Sequence, residues 1–280
     1  GGVRGASLRE WMSCKRGRDP TVERPEMSVK GIADVLSKRA ELRDRDVWIV
    51  RHAQGSHNVS VDYEYDPKLT AEGKQQVRSQ RKLSSQLPVD LVLVSPLRRT
   101  LETATGLFPD HPNMVAVEHL RESVSATCNI RLPISDLKKS FPHVDFSNVP
   151  DDEDPYLARF EGPEGVEGLR GDKRWDALVS AECIDYETDE EMLARSNKVL
   201  SLIASRPELR IALVSHAEFL NVFLHAQMVK GAPYRMYNFL ENCEIRRLAF
   251  QPPSDAKGKD EASPDKGLPR VKAAGKLSDG

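Results

Sequence analysis

The segment Val50-Arg51-His52-Ala53-Gln54-Gly55-Ser56-His57-Asn58 sets an arginine and a histidine directly behind a short apolar run. A neutral imidazole nitrogen can attack phosphorus, and cationic or amide donors around it can hold the equatorial oxygens. Arg51 offers a planar guanidinium fork suited to phosphate, and Asn58 an amide donor. A second segment, Ser95-Pro96-Leu97-Arg98-Arg99-Thr100, reads as a helix opening, with Ser95 as N-cap and Pro96 at the first helical position. Arg99 then falls in the first turn, where backbone N–H groups already favour an anion. Arg98 is one residue, about 100° of helix rotation, away, so only one of the pair enters a pocket. In Val214-Ser215-His216 a second histidine stands at a strand–helix junction, where a neighbouring phosphate dianion would keep it protonated as a donor. Leu120-Arg121-Glu122 adds a carboxyl, which suits a general acid because an alcohol leaving group needs a proton.

An Arg-His pair alone is better read as the cap of a strand end. The elements that must position these residues count against that reading. The runs 47–50, 91–95, 115–118 and 211–215 are continuous and rich in β-branched residues, as strands buried on both faces of a parallel sheet are. Helical patterns intervene from about Thr70 to Leu87, from Ser95, from the capping box Thr188-Asp189-Glu190-Glu191, and from His216 through Val229. A last run, Ile245–Phe250, adds a strand. Such alternation predicts an α/β fold: a three-layer α/β/α wound sheet, mostly parallel. Ligands bind such sheets at the carboxyl ends of the strands, and that is where Arg51, His52, Arg99 and His216 converge.

Residues 123–187, rich in Pro, Asp and Glu, break the rhythm and read as a cap-like segment inserted over the sheet. The domain therefore spans 28–251, starting with a short helix over Ser28–Arg43. Residues 1–27 read as a disordered arm, and 252–280 as a disordered tail with almost nothing to bury. A net charge of −2 over 280 residues argues against bulk nucleic-acid binding. No apolar run is long enough for a membrane span, and no secretory signal is legible. The chain does not begin with Met, which leaves its natural start open. Cys14, Cys128, Cys183 and Cys243 are scattered without metal-ligand spacing, as reduced thiols of a cytoplasmic protein would be.

In order and rough spacing, Arg51-His52-Ala53-Gln54-Gly55-Ser56-His57-Asn58, the LTxxGxxQ pattern starting at Leu69, Ser95–Thr100, Leu120-Arg121-Glu122 and Val214-Ser215-His216 resemble the histidine phosphatase superfamily, the phosphoglycerate mutase-like fold. The similarity covers about Val47 to Phe250. It looks nearest to a plant and fungal branch with RHAQGxHN, to which Cys128–Arg131, Phe141–Ser147 and Asn242–Glu244 are also similar. The resemblance implies that His52 carries the phosphoryl group, that Arg51, Arg99 and His216 bind phosphate, and that Glu122 donates a proton. Asn58, Gln54 and Arg131 are assigned to substrate binding, Arg131 for a second anionic group. Neither metal nor other cofactor is implied.

Two positions depart from the family: Ala53 stands where glycine is usual, and Ala217-Glu218 where Gly-Gly or Ser-Gly is usual. Glu218 adds negative charge near a dianion site unless it points away. The FTGW and ERHYG stretches of glycolytic mutases are lacking, so the expected function is a metal-independent phosphatase acting on a small phosphorylated metabolite through phosphohistidine. A mutase and a phosphate-binding scaffold without turnover are the alternatives. His57, His111, His119, His143 and His225 are read as surface or packed histidines, Lys138-Lys139 as a solvated face, Trp48 as core and Glu244 as structural.

Overall fold

The computed structural model describes residues 42, 44–60, 64–124, 126–159, 169, 171–180, 187–226 and 240–248. The arm, the 28–43 helix apart from Leu42, the tail, Cys14 and Cys183 lie outside them, as does 227–229 of the helix expected after His216.

Five strands, β1 (Asp46–Arg51), β2 (Leu91–Val94), β3 (Met114–Ala116), β4 (Arg210–Ser215) and β5 (Ile245–Leu248), form one sheet in the order β3-β2-β4-β1-β5. β1, β2, β3 and β4 pair in parallel, and β5 runs antiparallel to β1 at the edge. The unbroken apolar runs are explained by the two layers that cover the sheet. Trp48, Val50, Val92, Val94, Ala212 and Val214 face α1 (Ala71–Ser84) and α2 (Arg98–Leu107), packing on Val77, Leu101, Ala104 and Leu107. The alternate positions Val47, Ile49, Leu91, Leu93, Ile211 and Leu213 face the opposite layer, described below. Period-two alternation thus makes both faces apolar, giving the three-layer α/β/α arrangement. Trp48 is core.

The 123–187 stretch supplies a 3-10 turn at Thr127–Asn129 and three short helices, α3 (Ile134–Ser140), α4 (Pro155–Arg159) and α5 (Gly171–Ser180). Part of it belongs to the sheet layers rather than lying over them. Ile134, Leu137, Phe141 and Phe146 join the first core, and Asp145 bridges Val115, its backbone bonded to Met114 and Ala116 at 2.8 Å each. The opposite layer is α6 (Asp189–Ser205) and α7 (Ala217–Ala226), whose Met192, Val199, Ile203, Phe219 and Phe223 meet the second face. The expected capping box opens α6: Thr188 Oγ1 accepts from Glu191 N at 3.2 Å, and Glu191 Oε2 from Thr188 N at 2.9 Å.

Two element starts differ from the sequence reading. α2 begins at Arg98 rather than at Pro96, with Leu97 in the N-cap position, and the Ser95 hydroxyl lies 2.8 Å from His216 Nε2. β3 stops at Ala116, and Glu118 opens a 3-10 turn (Glu118–Leu120) instead of ending the strand.

Candidate active site

His52 is the first residue past β1, and its main chain is held from both sides. Its N–H donates to Ser215 O at 2.9 Å, while its carbonyl accepts from Cys243 N at 3.2 Å and Asn242 Nδ2 at 3.1 Å. The imidazole is 2% exposed. Nδ1 lies 2.7 Å from the Ala53 carbonyl, an acceptor only, so the ring proton sits on Nδ1 and Nε2 keeps its lone pair. Burial, and after it the positive charge of Arg99, push this histidine well below its ordinary range, so Nε2 is a free base at neutral pH.

The loop after His52 is bracketed by the LTxxGxxQ residues at the start of α1. Thr70 N donates to Gln54 O at 3.0 Å, Thr70 Oγ1 to Gln54 Oε1 at 2.8 Å, and Gln54 N to Gln76 Oε1 at 2.9 Å. The carbonyl oxygen of the Gln54 side chain is therefore committed to Thr70 rather than to substrate. Gly73 is where the two backbones touch, since a Cβ there would lie 2.1 Å from Gln54 O. Gly73→Ala is expected to cost about 1–3 kcal/mol, the usual range for overpacking, and to slow turnover by displacing the loop that follows His52. Urea unfolding and a steady-state rate on the same variant check this, and wild-type values in both would contradict it. Ala53 fits in place of a glycine because its backbone is not among the positive-φ residues of the described chain; its N–H donates to Thr103 Oγ1 at 3.0 Å.

Of the paired arginines, Arg99 is fully buried and turns into the site. Its Nη1 donates to Cys128 O at 2.7 Å and its Nη2 to Asn129 Oδ1 at 2.8 Å, while Nε has no partner. Arg98 stays outside, 3.8 Å from Glu64. Its N–H is capped at 2.9 Å by Asp66, a buried carboxyl whose backbone has φ 41°. Burial pushes the Asp66 carboxyl up to about 6. Arg51 donates through Nη1 to Leu240 O at 2.8 Å and leaves a buried Nε unpartnered.

His216 follows β4, with its ring centroid 5.1 Å from that of His52. Ser95 Oγ lies 2.8 Å from Nε2 and accepts at 3.4 Å from Leu97 N. The other ring nitrogen, Nδ1, is buried and has no partner. The charged imidazolium read from the sequence presupposed a phosphate dianion at its side. In the protein alone, burial first and then Arg99 push His216 well below its ordinary value, which leaves the ring neutral.

Glu122 lies at the N-terminus of α7. Oε1 accepts from Ser123 N and Phe219 N at 3.0 Å each, and Oε2 from Glu218 N at 3.2 Å. Burial, and next the charge of Glu218, raise its pKa above the ordinary carboxylate value against those N–H donors. Glu218 thus meets Glu122 through its backbone and favours the protonated acid through its charge. Glu118 is committed elsewhere, to Arg121 at 2.9 Å and Arg131 at 3.0 Å.

One assignment needs correction. Arg131 holds no second anionic group, because it is fully buried and its guanidinium is spent on Glu118 and on the carbonyls of Asp151, Asp152 and Glu153, at 2.7 to 3.0 Å. Asn58 is engaged within its own loop: Oδ1 accepts from Gly55 N at 3.0 Å, and Nδ2 stands 3.2 Å from His57 Nε2. His57 is packed, with its ring centroid 5.4 Å from that of His52. Ser95, Gln76, Asn129 and Asn242 support these residues, a role the sequence reading did not give them; Gln76, the last position of LTxxGxxQ, and Asn129 and Asn242, in the branch-like segments, had a visible signal. Glu244 is structural, 2.6 Å from Arg246.

Among the described residues, no group of three or more His, Cys, Asp or Glu is arranged to hold a metal. No helix among them is long and apolar enough to cross a membrane, and Cys128 and Cys243 are free thiols. What surrounds His52 Nε2 is instead positive or donating: Arg51, Arg99, His57 and His216 each keep a buried nitrogen without a partner. Such a cluster is suited to a small, highly charged oxyanion.

A profile described as the histidine phosphatase superfamily (branch 1) matches residues 47–145. Phosphoglycerate mutase-like protein 1 of Arabidopsis thaliana is 32% identical over 255 residues, covering 74% of this chain and 82% of that protein. A Schizosaccharomyces pombe protein named as a probable phosphatase is 31% identical over 194 residues, covering 66% and 79%. Among solved structures, a mycobacterial glucosyl-3-phosphoglycerate phosphatase is 19% identical with a TM-score of 0.47, covering 73% of this chain and 92% of that one.

Proposed function

The chain belongs to the histidine phosphatase superfamily, and from that premise we propose that it is a metal-independent phosphomonoesterase acting through a phosphohistidine on His52. The observation that carries the reading is the free base His52 Nε2 beside the unpartnered buried nitrogens of Arg51, Arg99 and His216. The Nε2 lone pair attacks phosphorus as the ester P–O bond breaks, and Glu122 delivers its proton to the departing alkoxide. Arg51, Arg99 and His216 hold the equatorial oxygens, where charge gathers in a phosphoryl transition state. Water, deprotonated by the Glu122 carboxylate, then attacks the phosphohistidine, releasing phosphate and restoring neutral His52 and protonated Glu122.

The substrate class is a small phosphorylated metabolite, selected by residues of the 123–187 cap, with neither nucleic acid nor membrane as partner. The scattered cysteines fit a cytoplasmic setting. The name of the Arabidopsis relative keeps a mutase as the second reading.

The test is a screen of the purified protein against phosphorylated sugars, glycerates, nucleotides and phosphopeptides without added metal. Phosphate release from a small ester supports the proposal. An isomerised phosphate ester appearing before free phosphate favours the mutase, and phosphate binding without turnover favours a scaffold. Because arginines and imidazoles carry the charge neutralisation, EDTA is expected to leave the rate unchanged. Loss of activity in EDTA with recovery on Mg²⁺ would contradict this.

A further inference from the structure

We propose that His57 is a catalytic residue: a neutral imidazole whose Nδ1–H, fixed by Asn58, donates to the phosphoryl group transferred to His52. The proposal rests on the phosphatase reading and adds a donor to it. The tautomer follows from a chain of hydrogen bonds. Gly55 N–H needs an acceptor and takes Asn58 Oδ1 at 3.0 Å, and Asn242 Nδ2 approaches the same oxygen at 3.5 Å. The Asn58 amide therefore turns its NH₂ toward His57, where Nδ2 lies 3.2 Å from Nε2. A nitrogen that receives a hydrogen bond carries no proton, so the ring proton is on Nδ1.

That Nδ1 is buried and has no partner within the protein. The 3-10 turn Ser56–Asn58 folds the ring back over Gly55, so that a Cβ there would lie 2.7 Å from Nδ1 and 2.8 Å from Cε1. The same point is 3.5 Å from Arg99 Cδ. Glycine thus leaves the space in which the Nδ1 edge of His57 and the stem of Arg99 meet beside His52. An unsatisfied buried N–H is costly, and an oxyanion oxygen is the acceptor this neighbourhood is charged to receive. A neutral donor also fits where a further cation would be repelled by Arg51 and Arg99. Burial and these two charges push His57 down to about 3, in keeping with a ring that stays uncharged. Asn58 is then a positioning residue that acts through His57.

The experiment compares variants that move or delete one donor. Asparagine places its amide nitrogen where Nδ1 stands, glutamine where Nε2 stands, and leucine has neither. The dissociation constant for inorganic phosphate is measured for wild type, His57→Asn, His57→Gln and His57→Leu, alongside turnover of p-nitrophenyl phosphate. His57→Leu and His57→Gln are expected to weaken phosphate binding roughly ten-fold, the scale of one hydrogen bond to a charged group, and His57→Asn by less than about three-fold. Should the leucine variant fail to fold, the asparagine–glutamine pair carries the same contrast. The ¹⁵N shifts of His57 in the free wild type should report a protonated Nδ1. Equal phosphate affinity across the series, or an Nε2–H tautomer, overturns the proposal. If wild type binds phosphate in this pattern but hydrolyses no ester, the phosphatase reading fails while His57 stands as a phosphate donor. A flat series with normal wild-type turnover removes His57 alone.

Discussion

His52→Ala is expected to abolish turnover, with a loss on the order of 10⁵–10⁶-fold, the scale on which removal of a covalent nucleophile falls. His57 presents a protonated Nδ1 rather than a lone pair, His216 Nε2 is engaged by Ser95 at 2.8 Å, and Arg51 and Arg99 have no basic nitrogen to offer. The backbone contacts that hold position 52, from Ser215, Cys243 and Asn242, do not involve the imidazole, so the fold should survive the change. Phosphate binding should survive in part, since the donors remain. The check pairs a rate with a phosphate titration: lost rate with retained binding separates a missing nucleophile from a collapsed site. Near-native turnover in the variant would remove His52 from the mechanism.

Glu122→Gln is expected to slow hydrolysis of a sugar or glycerate monoester by about 10²–10⁴-fold, the typical worth of a general acid. The same variant should slow p-nitrophenyl phosphate far less, because nitrophenolate leaves without a proton. The environment of Glu122 makes the contrast sharp. Burial, and then Glu218, keep its pKa above the ordinary carboxylate value, so the acid form persists to higher pH. With an alkyl ester, the rate should fall as pH rises through that raised pKa and the proton is lost. With the nitrophenyl ester, that limb should be shallow. Glu218→Gln removes the second cause of the elevation and should move the alkyl-ester limb to lower pH. Equal rate ratios for the two esters would make Glu122 a structural residue at the start of α7. Glu118 would be a poor replacement, since it is bound to Arg121 and Arg131.

The fold was legible because strands buried on both faces must be apolar without interruption, and the runs at 47–50, 91–95 and 211–215 are. The ends of elements were harder to read. Ser95-Pro96 has the composition of a helix start, yet the Ser95 hydroxyl serves His216, a contact 121 residues apart in sequence. The same limit explains Arg131. A lone arginine beyond Glu122 looks available for a second anion, and only tertiary structure shows it surrounded by Glu118 and the 151–153 carbonyls. The orientation of His57 was hidden for a related reason: a histidine inside a loop shows it only once Gly55 has let the ring fold back. Arg51, His52, Arg99, Glu122 and His216 were readable because each sits at or just beyond the carboxyl end of a strand, where topology alone brings them together.

The most direct test of the central claim is to quench wild-type protein during turnover of p-nitrophenyl phosphate and map the trapped phosphate by mass spectrometry. One phosphoryl group on His52, stable in base and lost in acid, is the predicted result, formed no more slowly than the steady-state rate requires. Phosphate on another residue, or steady hydrolysis with no phosphoenzyme under single-turnover conditions, would contradict the account.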